Sequence, residues 1–334
     1  MTQTVLKGTA GYGWQETYVG GSFTTENELN RRLARRIQKV QERIARRSST
    51  ADVHRAQHAK LLVGIVNAEF RVRTDIPEDL RGEFLVPGAS HPAVVRFSNC
   101  SGEIHPDTAP DLRGLAFRVQ SPAGTQDFLA TNAPASHARD PQQFMIVAEA
   151  LSGARFLVPP RLLIGLGVRE TIRIMQVLRR GTSRPVGSLA AETFWSRCPI
   201  AFGACGLKYQ LQPGPVTAPT PGHGDDHLRD ELVERLRKGP VSFDFMIQRF
   251  VDERSTPIED VVAHWEGTAQ PLAQLVIPQQ DLTGAAGREA GQAVEALDYS
   301  PWNCVPGFRP IGRMSRARRR VYEASVEHRK ATGP

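Results

Sequence analysis

The 334-residue sequence predicts an α+β fold, a mostly antiparallel β-barrel with helices around it. Seven short runs carry the barrel: 66–73, 94–98, 115–120, 128–131, 207–211, 241–247 and 272–277. They largely alternate apolar and polar residues, so each strand turns one face to a core and the other to polar surroundings. Around them stand segments with a helical period. Neither an internal repeat nor a clean linker interrupts the pattern.

Residues 1–25, rich in Gly, Thr and Gln, have no helical period and read as an arm. Thr24, Thr25 and Asn27 then offer N-caps, and Leu29, Leu33, Ile37, Val40 and Ile44 recur at spacings of four and three, an amphipathic helix. Its other face carries Arg31, Arg32, Arg35, Arg36, Lys39, Arg43, Arg46 and Arg47. Such a helix suits a membrane surface or its own domain, and the second is expected because a soluble domain needs an apolar stripe for its core. Residues 142–183 and 226–238 read as helices, Gln212–Gly224 as a Pro/Gly loop, and 284–297 and 312–330 as the last helices. Leu162–Val168, the most apolar stretch, falls far short of the ~20 residues that span a bilayer and reads as a core helix.

Charge and cysteines narrow the setting. The formal charge of +7 permits a polyanion or an anionic membrane as partner without requiring one. Four scattered cysteines fit reduced thiols, and the first residues lack an apolar run of signal-peptide length, so a cytoplasmic location is expected. No P-loop, G-x-S-x-G or dinucleotide fingerprint is present. His223-Gly224-Asp225-Asp226-His227 holds metal-capable side chains, but its place before a helix suits an Asp cap better.

The chemistry starts near the C-terminus, in Arg316-Ala317-Arg318-Arg319-Arg320-Val321-Tyr322. Residues four apart share a helix face, so the Arg318 guanidinium can lie beside the Tyr322 oxygen. A guanidinium and a ferric ion would both favour a phenolate, which makes Tyr322 a candidate axial ligand to haem iron. Upstream, in order, come Arg55-Ala56-Gln57-His58, Val95-Arg96-Phe97-Ser98, Asp111-Leu112-Arg113-Gly114-Leu115-Ala116-Phe117-Arg118-Val119, Asp127-Phe128-Leu129-Ala130-Thr131-Asn132-Ala133-Pro134 and Ala138-Arg139-Asp140-Pro141-Gln142-Gln143-Phe144.

This series resembles the catalase family over roughly residues 50–325. It resembles the short catalase-related haem proteins of bacteria more closely than full-length catalases. The resemblance implies a catalase-like, eight-stranded antiparallel barrel enclosing haem b, with residues 1–50 as arm and helix and 51–334 as the haem-binding domain. It also implies roles: His58 as distal acid/base, Ser98 as its orienting hydroxyl, Arg55 and Arg96 beside the haem propionates, Phe144 along the porphyrin, and Arg318 beside the ligand Tyr322. An imidazole suits the distal task, because heterolytic O–O cleavage needs one group to take a proton from one oxygen and return it to the other.

Two departures shape the expected function. Thr131 stands where catalases place a distal asparagine, with Asn132 one residue later, and a one-residue shift turns a strand side chain to the other face. Ser136-His137 replaces an aromatic pair that narrows the family's channel, which opens access to an organic substrate and makes His137 an alternative distal histidine. The expectation is therefore peroxidase-type or fatty-acyl hydroperoxide chemistry with weak catalase activity, in a homo-oligomer, with Thr131 as a distal hydroxyl. The partners would be a peroxide and an organic or fatty-acyl co-substrate, with no nucleic acid. The alternative is a non-catalytic basic protein using the arginine faces at 29–47 and 309–320 on nucleic acid or anionic lipid.

Overall fold

The computed structural model describes residues 5–7, 13–48, 54–82, 84–203, 205–217, 219 and 222–332. Most of the N-terminal arm before residue 13 and the expected domain boundary at 50/51 lie outside them. Two short strands, β1 (Val5–Lys7) and β2 (Gln15–Thr17), pair with each other. Helix α1 (Phe23–Arg47) follows, its N-terminus capped by Ser22, whose hydroxyl accepts from the Thr25 N–H. Thr24 and Thr25 fall inside the helix.

The barrel comprises β3 (Leu61–Val72), β4 (Ser90–Asn99), β5 (Arg113–Ser121), β6 (Gly124–Thr131), β7 (Phe194–Trp195), β9 (Cys205–Pro213), β10 (Val241–Arg249) and β11 (Gln270–Ile277). Every pairing around the ring is antiparallel, and β10 bonds both β11 and β9, which closes an eight-stranded barrel; β8 (Ile200–Phe202) hangs on β9 as a flap. All seven alternating runs fall in these strands. The two-residue β7, which alternation cannot reveal, completes the ring.

Phenylalanines fill the interior. Phe70 contacts Phe84, Phe117, Phe128 and Phe245 at centroid distances of 5.3–6.0 Å. Because strand side chains alternate, burying Phe97 and Phe117 inward turns their neighbours Arg96, Ser98 and Ala116 outward.

Helices cover that outer face. The α1 stripe Leu29, Leu33, Ile37, Val40 and Ile44 is buried against Ala317 of α6 (Arg313–Thr332) and Met145 of α2 (Pro141–Leu151). Asp140 caps α2, accepting from the N–H groups of Gln142 and Gln143. Part of α1's basic face is tied down too: Arg36 pairs with Glu149 at 2.7 Å and Arg47 with Glu103 at 2.9 Å.

The expected helical region at 142–183 is two helices, α2 and α3 (Val158–Thr182). The core reading of Leu162–Val168 is overturned. Leu162 is buried, but Ile164 is 88% and Val168 64% exposed, and the chain breaks helical geometry at Gly167 with φ 76°. An apolar run that short does not say which of its residues face inward.

Helices α4 (His227–Lys238) and α5 (Gly284–Glu295) complete the shell. Asp226 stands at the start of α4 but makes no side-chain cap; its carboxylate pairs with Lys60 at 2.7 Å. The His227 ring nitrogens face the carbonyls of Gly224 and Val186. No helix among the described residues is long and apolar enough to cross a membrane.

Candidate haem and peroxide site

Between the barrel's outer face and helices α1, α2 and α6 lies a cavity of about 1430 Å³ of empty space, partly open to solvent. The β-register builds its floor. Ser98, Gly114 and Thr131 form one cross-strand row over β4, β5 and β6, and Arg96, Ala116 and Leu129 form the next. All six line the cavity, together with Leu33, Ile37, Phe144 and Tyr322.

His58 enters from the loop before β3. Its backbone is left-handed, φ 59°, a conformation that costs a non-glycine residue about 1–3 kcal/mol unless its surroundings hold it. Here they do: its N–H donates to the Cys100 carbonyl at 3.1 Å, and its carbonyl accepts from Arg96 Nη2 at 2.8 Å. Arg96 is itself oriented by Glu295, to which its Nε donates at 2.8 Å.

The His58 ring is fixed as tightly. Nδ1 shares a hydrogen bond with Ser98 Oγ at 3.0 Å. Gly114 lies against the ring so closely that a Cβ there would stand 2.5 Å from Nδ1 and 2.7 Å from Ser98 Oγ. Burial, reinforced by Arg96 and Arg197, pulls the imidazole pKa from 6.5 to about 3, so the ring is neutral at pH 7. Nε2 is its remaining nitrogen, 3.8 Å from Cys100 Sγ. Burial likewise pushes that thiol up to about 12, so it stays protonated.

Thr131 and Asn132 divide as alternation requires. Thr131 lines the cavity, its Oγ1 buried without a hydrogen-bond partner among the described residues. Asn132 turns away: its Oδ1 accepts from the Arg113 N–H at 2.7 Å and its Nδ2 donates to Glu192 at 3.0 Å. Ser136 also lines the cavity. His137 stands behind the wall, stacked on Phe144 with centroids 5.2 Å apart, and burial holds its pKa near about 3.

On α6, Arg318 Nη2 donates to the Tyr322 hydroxyl at 2.9 Å, the pairing expected of residues four apart on a helix. Arg55 reaches the same cavity; its Nη2 donates to the carbonyls of Glu295 and Leu297 at 2.8 and 3.0 Å.

Sequence reading missed Gly114 as a site residue, along with Glu295, Tyr299, Arg197 and Arg329. Glu295 orients Arg96, Tyr299 presents a buried hydroxyl without a hydrogen-bond partner among the described residues, and Arg329 pairs with Asp298 at 2.8 Å. The Gly114 signal was its place inside the Arg113–Val119 motif. Arg197 and Tyr299 come from loops, Glu295 from the end of α5 and Arg329 from α6 two turns beyond Tyr322, and no motif marks them.

The residues present suit haem. A phenol backed by a guanidinium, buried unpartnered hydroxyls at Thr131 and Tyr299, and arginines gathered at the rim answer respectively to an axial iron position, a polar face and two propionates. Tyr322 would hold the iron, and Arg55 with Arg96 or Arg329 the propionates.

Comparison with known proteins agrees. Residues 37–153 match the family model described as Catalase. The chain is 30% identical over 257 residues to a catalase-related peroxidase of Mycolicibacterium paratuberculosis, covering 72% of this chain and 79% of that protein. It is 25% identical over 282 residues to catalase easC of Arthroderma otae, covering 77% of this chain and 58% of the relative's length. A fungal catalase crystal structure superposes with a TM-score of 0.69 at 20% identity, covering 87% of this chain and 62% of that one. Barrel and cavity thus define an oxidoreductase of the catalase type, the haem-dependent class that acts on peroxides. Within that class, the chain belongs to the catalase-related family.

Proposed function

We propose that this protein is a haem b peroxidase acting on organic or fatty-acyl hydroperoxides, with weak catalase activity. The observation that carries it is the exchange at Thr131 and Asn132: a short hydroxyl faces the cavity where the family resemblance expects an amide, and the amide is turned away. With Ser136 on the wall instead of a large ring, access suits an organic substrate better than hydrogen peroxide alone.

Bound haem would supply the ferric iron at which a peroxide O–O bond is cleaved. The protein's part is proton handling and positioning. His58 Nε2 takes the proton from one peroxide oxygen and returns it to the other. Ser98 and Gly114 keep the ring at a fixed angle, and Arg96 holds the backbone beneath it. Thr131 Oγ1 would offer a hydrogen bond to the peroxide. Arg318 donates to the Tyr322 oxygen, the atom that would hold the iron, and fixes its direction.

A homo-oligomer belongs to the same proposal, supported by the exposed apolar side chains Ile164, Val168 and Ile172 on either side of the break in α3. So does a cytoplasmic setting, which the four free cysteines support.

The test is an absorption spectrum of the purified protein, followed by turnover of hydrogen peroxide, cumene hydroperoxide and a fatty-acid hydroperoxide. A ferric Soret band with organic hydroperoxides preferred is the expected result. Colourless protein that binds polyanions, or fast disproportionation of hydrogen peroxide alone, would overturn the proposal.

A further inference from the structure

Five arginines line the cavity: Arg55, Arg96, Arg197, Arg318 and Arg329. Four are committed. Arg55 and Arg96 pair with Glu295, Arg329 pairs with Asp298, and Arg318 donates to Tyr322. Among the described residues, no carboxylate forms an ion pair with Arg197. The acid near His58, Asp111, is already used: its oxygens accept from the N–H groups of Cys100, Ser101 and Leu112, and one lies 3.1 Å from His105 Nε2.

Arg197 is also on the peroxide side. Its charge helps depress the pKa values of His58 and His137 and opposes the rise at the Cys100 thiol, which lies against His58 Nε2. The residue sits just after β7 with φ 57°, a left-handed backbone that a non-glycine residue adopts only at a cost. That turn sets Arg197 on the wall shared by this cavity and a smaller neighbouring pocket, so its side chain meets open space. A half-buried guanidinium with no carboxylate ion pair among the described residues is available to an anion, and its planar fork matches a carboxylate.

We infer that Arg197 is a specificity-determining residue that binds the carboxylate of an organic substrate. This rests on the hydroperoxide reading above and narrows it: the preferred substrate bears a free acid group, not an ester or an alcohol. Free carboxylates would bind as substrate or product mimics, and esterified lipid would not.

Calorimetric titration of the haem-loaded protein with decanoate and with 1-decanol tests this without turnover. Decanoate should bind about ten- to a hundredfold more tightly than decanol, the range expected of a hydrogen bond to a charged group, and Arg197→Gln should erase that difference. Arg197→Lys should restore part of it. Equal affinity of the wild-type protein for the two probes would overturn the inference, whether or not either variant folds. So would a decanoate preference that survives in Arg197→Gln. Failure of the hydroperoxide reading shows differently, as protein without haem or with hydrogen peroxide as its sole good substrate.

Discussion

Arg318 Nη2 donates to the Tyr322 hydroxyl at 2.9 Å, and the same guanidinium lies 5.1 Å from the centre of the Tyr322 ring. One turn of α6 therefore joins a cation to an oxygen that faces a cavity. The geometry is local to the helix and needs no other element to set it.

Tyr322→Phe removes that oxygen. Purified variant should be largely haem-free or spectrally altered, judged by the Soret absorbance per protein. An unchanged spectrum at full occupancy would rule Tyr322 out as ligand. Arg318→Ala, which leaves the oxygen, should be milder.

His58→Ala should bind haem yet turn over peroxide about 10²- to 10⁴-fold more slowly, the usual loss for a positioned acid/base. His137→Phe is the companion variant. Because His137 lies behind Phe144 rather than on the cavity wall, it should keep most of its activity. The reverse pattern would move the distal role to His137.

Gly114→Ala places a methyl 2.5 Å from His58 Nδ1, well inside contact distance. The ring or β5 must shift. Turnover should fall at least about tenfold, since small misplacements near the chemistry are costly. Circular dichroism would show that the fold survives. Undiminished turnover would mean that the tilt of the His58 ring is unimportant.

Stability should fall in acid. His58 and His137 both have folded pKa values near about 3, below the ordinary 6.5, so the unfolded chain binds more protons between those values. Stability from these groups is therefore complete above about pH 6.5 and lost as pH falls toward 3. Each contributes a slope of up to about 1.4 kcal/mol per pH unit. Urea midpoints across that window should show it, with a shallower slope in His137→Phe. Identical slopes in both proteins would mean that His137 does not stay neutral on folding.

The α1 stripe belongs to the protein's own core. Leu33, 1% exposed, packs within the cluster that joins α1 to α2 and α6, and Leu33→Ala should cost about 2–5 kcal/mol. Anionic vesicles should leave the protein in the supernatant at low salt. Sedimentation that Arg35→Glu/Arg36→Glu abolishes without loss of stability would make α1 a membrane helix instead.

Much was legible in the sequence because it depends on neighbours along the chain. The two-residue period marked seven of the eight barrel strands, the three- and four-residue spacing marked α1 and its buried stripe, and the i to i+4 rule placed Arg318 beside Tyr322. The one-residue difference between Thr131 and Asn132 also foretold that only one of them could face the site. Tertiary structure alone decided the rest. Which face of β6 met the helices depended on the phenylalanines filling the barrel, and that turned Thr131 outward, toward the cavity. The same packing brought Glu295, Tyr299 and Arg197 to His58 from the far side of the sequence, and left Ile164 and Val168 on the surface of an apolar run. Periodicity reports which residues share a face. Only the closed barrel and the helices laid over it determine what that face meets.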